Sequence, residues 1–225
     1  MLVDVELNRL IDHTILKPEA TEDDVRRVCE EGKRYNFFSV CVNTHFVPLV
    51  ASELKGTDVK VCSIAGFPLG AMSSSAKAFE AERAVRDGAD EIDMVMNIGS
   101  LKSGNFKHVA EDIAGVVRAC GDSALVKVII EAALLTDDEK VTACKIVMDA
   151  GASFVKTSTG FGPPGANVKD VQIIRSAVGP DFGVKASAGI RTAQFALELI
   201  EAGATRIGTS SGVKIMEEWE KMRSE

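Results

Sequence analysis

The chain is poor in the residues that build metal and disulfide sites. Its five cysteines (Cys29, Cys41, Cys62, Cys120 and Cys144) are odd in number, widely spaced and form no CxxC. Neither a zinc knuckle nor a disulfide framework is expected from that pattern, and free thiols fit a reducing, cytosolic compartment. There are three histidines, His13, His45 and His108, and none has HExxH-type spacing. No metal and no cofactor is expected. No apolar run approaches the roughly 18 residues that cross a bilayer, so no membrane association is expected. The acid-bearing start MLVDVELNRLIDH does not read as a signal peptide. A basic excess is missing too, since the net charge is −7. Proteins that grip a phosphate backbone carry a basic stripe, so nucleic acid is not an expected partner. A small anionic substrate stays compatible with the acidic balance, because a few amides and lysines can bind it locally.

What the chain does contain is repetition. Short runs rich in Val and Ile alternate with helical segments: 11–16, 37–43, 59–66, 91–97, 125–132, 153–158, 182–187 and 205–210. Buried parallel strands have this character. Thr21 with Asp24 and Thr136 with Glu139 read as helix N-caps with an acid at the third position. Gly88, Gly121, Gly151 and Gly203 follow helical patterns, where a left-handed residue ends a helix. Val109, Ile113, Val116, Val117 and Cys120 form one apolar face, and Val171, Ile174 and Val178 another. Three junctions, RDGADEIDMVMN, DAGASFVKTSTG and EAGATRIGTSSG, repeat one helix-to-strand pattern. Eight strand–helix units in 225 residues predict a single (β/α)8 barrel over 1–225 with a short N-terminal helix. A doubly wound open sheet is the alternative. No linker or low-complexity segment interrupts the chain.

In a barrel, function belongs at the C-terminal strand ends, and inward positions alternate with helix-facing ones. If Ile92, Met94 and Met96 face the helices, Asp93 points inward. The same parity turns Lys127, Glu131, Lys156 and Lys185 inward, with Asp12 in the first strand able to join them. Buried charges are costly unless paired, and a structural ionic network is one reading of this set. Matching lysines on consecutive strands point elsewhere. With strands about 4.8 Å apart, two ammonium groups at about 6 Å repel by roughly 3 kcal/mol at an effective dielectric of 20. An unperturbed lysine is neutral about once in 2,500 molecules at pH 7. A cationic neighbour and partial desolvation raise that fraction, and a neutral amine can attack a carbonyl to form a Schiff base. The iminium is an electron sink, so a carbon–carbon bond can break without a metal, with a carboxylate such as Asp93 moving the proton.

The segment Gly160-Phe161-Gly162-Pro163-Pro164-Gly165 matches GxGxxG. Its prolines remove amide donors, and the next strand ends in no acid to hold a ribose. A tight loop over the strand ends is expected instead of a dinucleotide site. SAGIRT (187–192) and GTSSG (208–212) follow strands 7 and 8, where barrels often cradle phosphate. Gly189, Gly208, Ser210 and Ser211 are candidates there, against a reading as ordinary turns.

Taken together, IDHTILKP, SVCVN, IAGFPLG, EIDMVMNIG, VKVIIE, FVKTSTGFG, VKASAGIRT and RIGTSSG resemble the deoxyribose-phosphate aldolase family, in order, from about residue 10 to residue 213. The resemblance implies a class I aldolase that reversibly cleaves 2-deoxyribose 5-phosphate to glyceraldehyde 3-phosphate and acetaldehyde. It implies Lys156 as the Schiff-base lysine, Lys185 as the second lysine and Asp93 as the relay carboxylate. Thr159, Gly160, Gly189, Gly208, Ser210 and Ser211 become substrate-site positions, and Asp12, Thr14, Cys41 and Lys127 supporting ones. Sugar phosphate and aldehyde are the implied ligands, and a homodimer or homotetramer the implied assembly. Two departures stand out. Phe161 sits where some members place a phosphate-binding lysine, and Ala188-Gly189 where some have Gly-Gly. The residues alone also admit an isomerase or synthase using Lys127 and Glu131, and a phosphosugar-binding protein without turnover.

Overall fold

Eight short parallel strands close on themselves in sequence order, so each is hydrogen-bonded to its sequence neighbours and β8 returns to β1. They are β1 (Ile11–Ile15), β2 (Ser39–Val42), β3 (Lys60–Ala65), β4 (Glu91–Val95), β5 (Leu125–Ile129), β6 (Phe154–Lys156), β7 (Gly183–Ser187) and β8 (Arg206–Thr209). The helices on the outside are α1 (Glu22–Tyr35), α2 (Val47–Glu53), α3 (Ser74–Arg86), α4 (Ile98–Lys102), α5 (Phe106–Cys120), α6 (Asp137–Asp149), α7 (Val168–Val178), α8 (Ala193–Glu201) and α9 (Gly212–Ser224). This computed structural model describes residues 5–162 and 164–224. The closed ring rules out the open doubly wound sheet. The short N-terminal helix appears, in the described residues, as one 3-10 turn, Leu7–Leu10.

The local signals act as the sequence predicts. Thr21 and Thr136 each complete a reciprocal capping box with Asp24 and Glu139, satisfying amides that the first helical turn leaves unpaired. Gly88, Gly121, Gly151 and Gly203 all have positive φ. Ile92, Met94 and Met96 are fully buried on the helix-facing side of the β4 segment, where Val109, Ile113 and Val116 of α5 join the same core. Each such side chain contributes roughly 1.5–3 kcal/mol when removed from water. Val117 is only partly buried at the edge of that face. Trp219 is buried and belongs to the core, so it anchors α9 on the barrel.

Two buried ion pairs tie helices together. Lys77 of α3 reaches Asp112 of α5 at 2.5 Å and also donates to the carbonyls of Gly70 and Val95. Lys140 of α6 bonds Asp170 of α7 at 2.6 Å.

Candidate active site

Strand register brings the inward charges together. Lys156 lies directly opposite Lys185, and Asp93 opposite Lys127. Lys127 itself pairs with Phe154, two residues below Lys156, so it sits one layer deeper in the barrel. Asp93 is fully buried and is the hub. Its Oδ1 accepts from Lys127 at 2.8 Å, and its Oδ2 accepts from both Lys156 at 2.8 Å and Lys185 at 2.7 Å. Because one oxygen holds both ammonium groups, the two lysine nitrogens are no further apart than the sum of those bonds.

The network continues downward. Lys185 pairs with Asp12 Oδ2 at 2.5 Å, and Lys127 with Glu91 at 2.6 Å. Arg206 bonds Asp12 Oδ1 at 2.8 Å and Glu91 at 3.1 Å, with its guanidinium 3.3 Å from the centroid of the Phe38 ring. Glu91 and Arg206 did not emerge from the sequence. They sit at the first positions of β4 and β8, where a charge reads as an ordinary strand-end residue. The inward parity that exposes Asp93 applies equally to Glu91.

For Asp93, Asp12, Lys185 and Lys127, neighbouring charge outweighs the cost of burial. Burial alone would raise the carboxyl of Asp93, but Lys127, Lys156 and Lys185 outweigh it and hold it well below the usual carboxylate range. Asp12 is likewise lowered: burial opposes ionisation, and Lys185, Lys127 and Arg206 overcome it. Burial pulls the Lys185 ammonium down, yet Asp12 and Asp93 outweigh that and raise it above the ordinary lysine value. Lys127 is raised well above it by Asp93, Cys62 and Glu91 despite burial. By contact, four basic side chains (Lys127, Lys156, Lys185 and Arg206) meet three acidic ones (Asp12, Glu91 and Asp93). Lys156 is the cation with a single carboxylate contact, and that carboxylate is shared.

Access separates the lysines. A cavity of about 710 Å³ opens at the C-terminal strand ends, and Lys156 lines it while Lys127 and Lys185 do not. Lys185 is fully buried. Thr14, Thr159, Gly160, Gly189, Gly208 and Ser210 also line the cavity. Ser211 does not. Its amide donates to Thr209 Oγ1 and its carbonyl accepts from Ile215, so it starts α9 instead. Gly208 is part of β8, and a side chain there would meet Lys185 Cε and Ser187 Cβ at 2.9 Å. Its bareness makes room for the Lys185 side chain as well as for a ligand.

Glu131 departs from the expected inward series. β5 ends at Ile129, and Glu131 turns with φ 48° and ψ 64°. Its carboxylate takes the Thr159 hydroxyl at 2.5 Å and the Thr159 amide at 3.1 Å, so it pins the loop after β6 and stays out of the ionic hub. The GxGxxG segment is such a loop. A side chain at Gly165 would lie 2.2 Å from the Ala188 carbonyl, and Ala166 donates to that carbonyl and to Ser187. These glycines let the β6 loop lie on the β7 loop. Ala188 holds φ 74° to receive it, a conformation that favours glycine. Pro163, one of the two prolines of the motif, lies outside the described residues.

Cys41 is fully buried. With Cys62 and Asp93 it puts possible metal donors within 4.8 Å of one another. Both oxygens of that carboxylate already receive ammonium groups, whose charge opposes a cation there.

A parallel barrel whose cavity exposes one amine, backed by a second, buried one held by two carboxylates, defines a class of enzyme that works on carbonyl carbons through lysine. Comparison with known proteins narrows the class. The profile of the DeoC/LacD family aldolases matches residues 8–218. The deoxyribose-phosphate aldolase of Enterococcus faecalis is 58% identical over 212 residues, covering 94% of this chain and 96% of that one. The enzyme of the same name from a Thermoanaerobacter species is 55% identical over 222 residues, covering 97% and 99%. Among solved structures, the aldolase QR15 superposes with a TM-score of 0.93 at 41% identity, covering 98% of each chain. A deoxyribose phosphate aldolase from Aeropyrum pernix, described as a unique tetramer, does so at 0.89 and 36%, covering 96% and 92%. This chain belongs to the DeoC/LacD family of aldolases.

Proposed function

We propose that the protein is a deoxyribose-phosphate aldolase, cleaving 2-deoxy-D-ribose 5-phosphate reversibly to D-glyceraldehyde 3-phosphate and acetaldehyde in deoxyribose phosphate breakdown. One observation carries the reading: Lys156 is the network lysine that reaches the cavity, and it shares an Asp93 oxygen with the buried Lys185. Loss of a proton from Lys156 leaves the interior charges balanced, three against three. Its neutral amine attacks the sugar aldehyde, and loss of water gives the iminium. The C3 hydroxyl gives up its proton toward the Asp93–Lys185 pair, directly or through water. The C2–C3 bond then breaks and its electrons flow into the iminium, leaving an enamine. Protonation of that enamine at C2 and hydrolysis release acetaldehyde and restore the amine.

The remaining candidates take supporting roles. Backbone amides at Gly160, Gly189 and Gly208, the Ser210 hydroxyl and the α9 N-terminus begun by Ser211 suit the phosphate. Thr14 and Thr159 border the amine. Asp12, Lys127 and Cys41 hold the floor beneath it. Among the described residues no helix is long and apolar enough to cross a membrane, and all five cysteines are free and buried. Both support a cytoplasmic enzyme. We infer a homodimer or homotetramer, which the exposed Leu69 and Phe79 side chains support as interface material; a monomeric mass by light scattering would refute it.

Borohydride reduction in the presence of acetaldehyde tests the chemistry. The expected result is one added ethyl group, mapped to Lys156. Label on another lysine, or none, would sink the proposal.

A further inference from the structure

β6 carries the amine that reaches the cavity, yet it is the shortest strand of the barrel, three residues that end at Lys156 itself. Beyond Lys156 the chain is held from both sides. The Thr157 carbonyl accepts the Ala132 amide at 2.8 Å, and the Thr157 hydroxyl accepts the Ser187 amide of β7 at 3.1 Å. Glu131 fixes the stretch that follows. It is buried and does not line the cavity. Its backbone is left-handed, φ 48° and ψ 64°, a conformation that a residue other than glycine keeps only where its surroundings enforce it. Here a pair of bonds does so, because the Thr159 hydroxyl at 2.5 Å and the Thr159 amide at 3.1 Å both end on Glu131 Oε2. The Thr159 hydroxyl in turn accepts the Phe161 amide at 3.1 Å. Two of three successive amides, at 159 and 161, are thus turned into the loop. Among the described residues the Gly160 amide between them meets no acceptor of the protein. Gly160 lines the cavity with φ 86°, and a side chain there would touch Ala188 Cβ at 3.4 Å, so it lies against the β7 loop.

We propose that Glu131 is a positioning residue for the phosphate end of the substrate: acting through Thr159, it turns the Gly160 amide into the cavity. The proposal rests on the aldolase reading, which gives the phosphate to the amides at Gly160, Gly189 and Gly208. A hydrogen bond weakens steeply as its donor swings out of line, so a tilted peptide plane loses its anion even where the chain stays in place. Thr159 is the link. Its hydroxyl gives its proton to Glu131, and its oxygen is then set to receive the Phe161 amide. Without the carboxylate that hydroxyl is free to turn, and the 159–161 turn that aims Gly160 relaxes. The side-chain bonds of Glu131 run to Thr159 and not to the lysine hub, so its loss falls on phosphate binding before it falls on chemistry. Both short bonds end on one oxygen, so the single carbonyl oxygen of a glutamine can accept them in its place.

The test measures cleavage of 2-deoxyribose 5-phosphate and of unphosphorylated 2-deoxyribose by the parent, E131A and E131Q. E131A is expected to lower kcat/KM for the phosphorylated sugar about tenfold more than for the unphosphorylated one, the size of one hydrogen bond to a charged group. The loss should lie in KM, and inorganic phosphate should inhibit E131A only at about tenfold higher concentration than the parent. E131Q is expected to keep most of the preference for the phosphorylated sugar. A role in stability alone would lower both sugars alike, through the fraction of enzyme that is folded. An equal fall for both sugars, an unchanged preference in E131A, or an E131Q as impaired as E131A overturns the proposal while leaving the aldolase intact. Should E131A fail to fold, T159V carries the test, since it keeps the side-chain shape and removes the hydroxyl that links Glu131 to the Phe161 amide. The same loss of preference is expected, and the parent's preference in T159V overturns the proposal. Absence of turnover of either sugar by the unsubstituted enzyme overturns the aldolase reading and this inference together.

Discussion

Lys156 and Asp12 show how much one side chain in the hub controls. Lys156→Ala removes the only network amine that meets the cavity, and turnover is expected to fall by at least about a thousandfold, as when a covalent nucleophile is deleted. The fold should persist, since the lost ammonium was the cation in excess; steady-state rates with far-UV circular dichroism check both. Asp12 answers to pH. Its folded carboxyl is depressed, so the stability it contributes is present above the unfolded value of about 3.9 and lost as pH falls through the folded one. Lys185 is raised, so its contribution is present below about 10.4 and lost at higher pH. Urea unfolding should therefore show Asp12→Asn less stable than the parent by a constant margin between about pH 5 and 9. That margin should shrink below about pH 4. A margin that shrinks already between pH 7 and 5 would contradict the depressed carboxyl.

Helix pairing depends on charges of two kinds. Lys77 and Asp112 join α3 to α5 with both side chains buried, and one Asp112 oxygen has no hydrogen-bond partner. Lys77→Met strands that carboxylate and is expected to destabilise by about 3–5 kcal/mol. Lys102 pairs with Glu139 in the open, with 41% of the lysine side chain exposed, and Lys102→Met is expected to change stability by no more than about 1 kcal/mol. Chemical denaturation of the two variants measures the contrast, and equal losses would refute it. Lys77 also holds the carbonyls of Gly70 and Val95. The first lies on the loop that carries Phe67, and the second ends the strand that carries Asp93. The helix pair thus supports the site from outside the barrel.

Over the whole molecule, function follows from which wall of the barrel each residue joins. The hub draws on β1, β4, β5, β6, β7 and β8, with residues as far apart in the chain as Asp12 and Arg206. Closure of β8 on β1 is what makes that contact possible. The same closure lets Phe67 and Phe161 meet across the mouth, although nearly a hundred residues separate them.

By itself the sequence determined the eight units, their caps and the inward parity of Asp93, Lys127, Lys156 and Lys185. These depend on local periodicity and on side-chain alternation along a strand, which a single chain displays directly. Tertiary structure alone decided depth and reach. Glu131 left the inward series because its backbone turned before its side chain could point in. Ser211 became a helix start, and Gly208 a clearance for Lys185. Lys127 sank a layer below Lys156 through the stagger of neighbouring strands. Such outcomes depend on register between segments distant in sequence, and the pattern within any one strand carries no information about its height against the next.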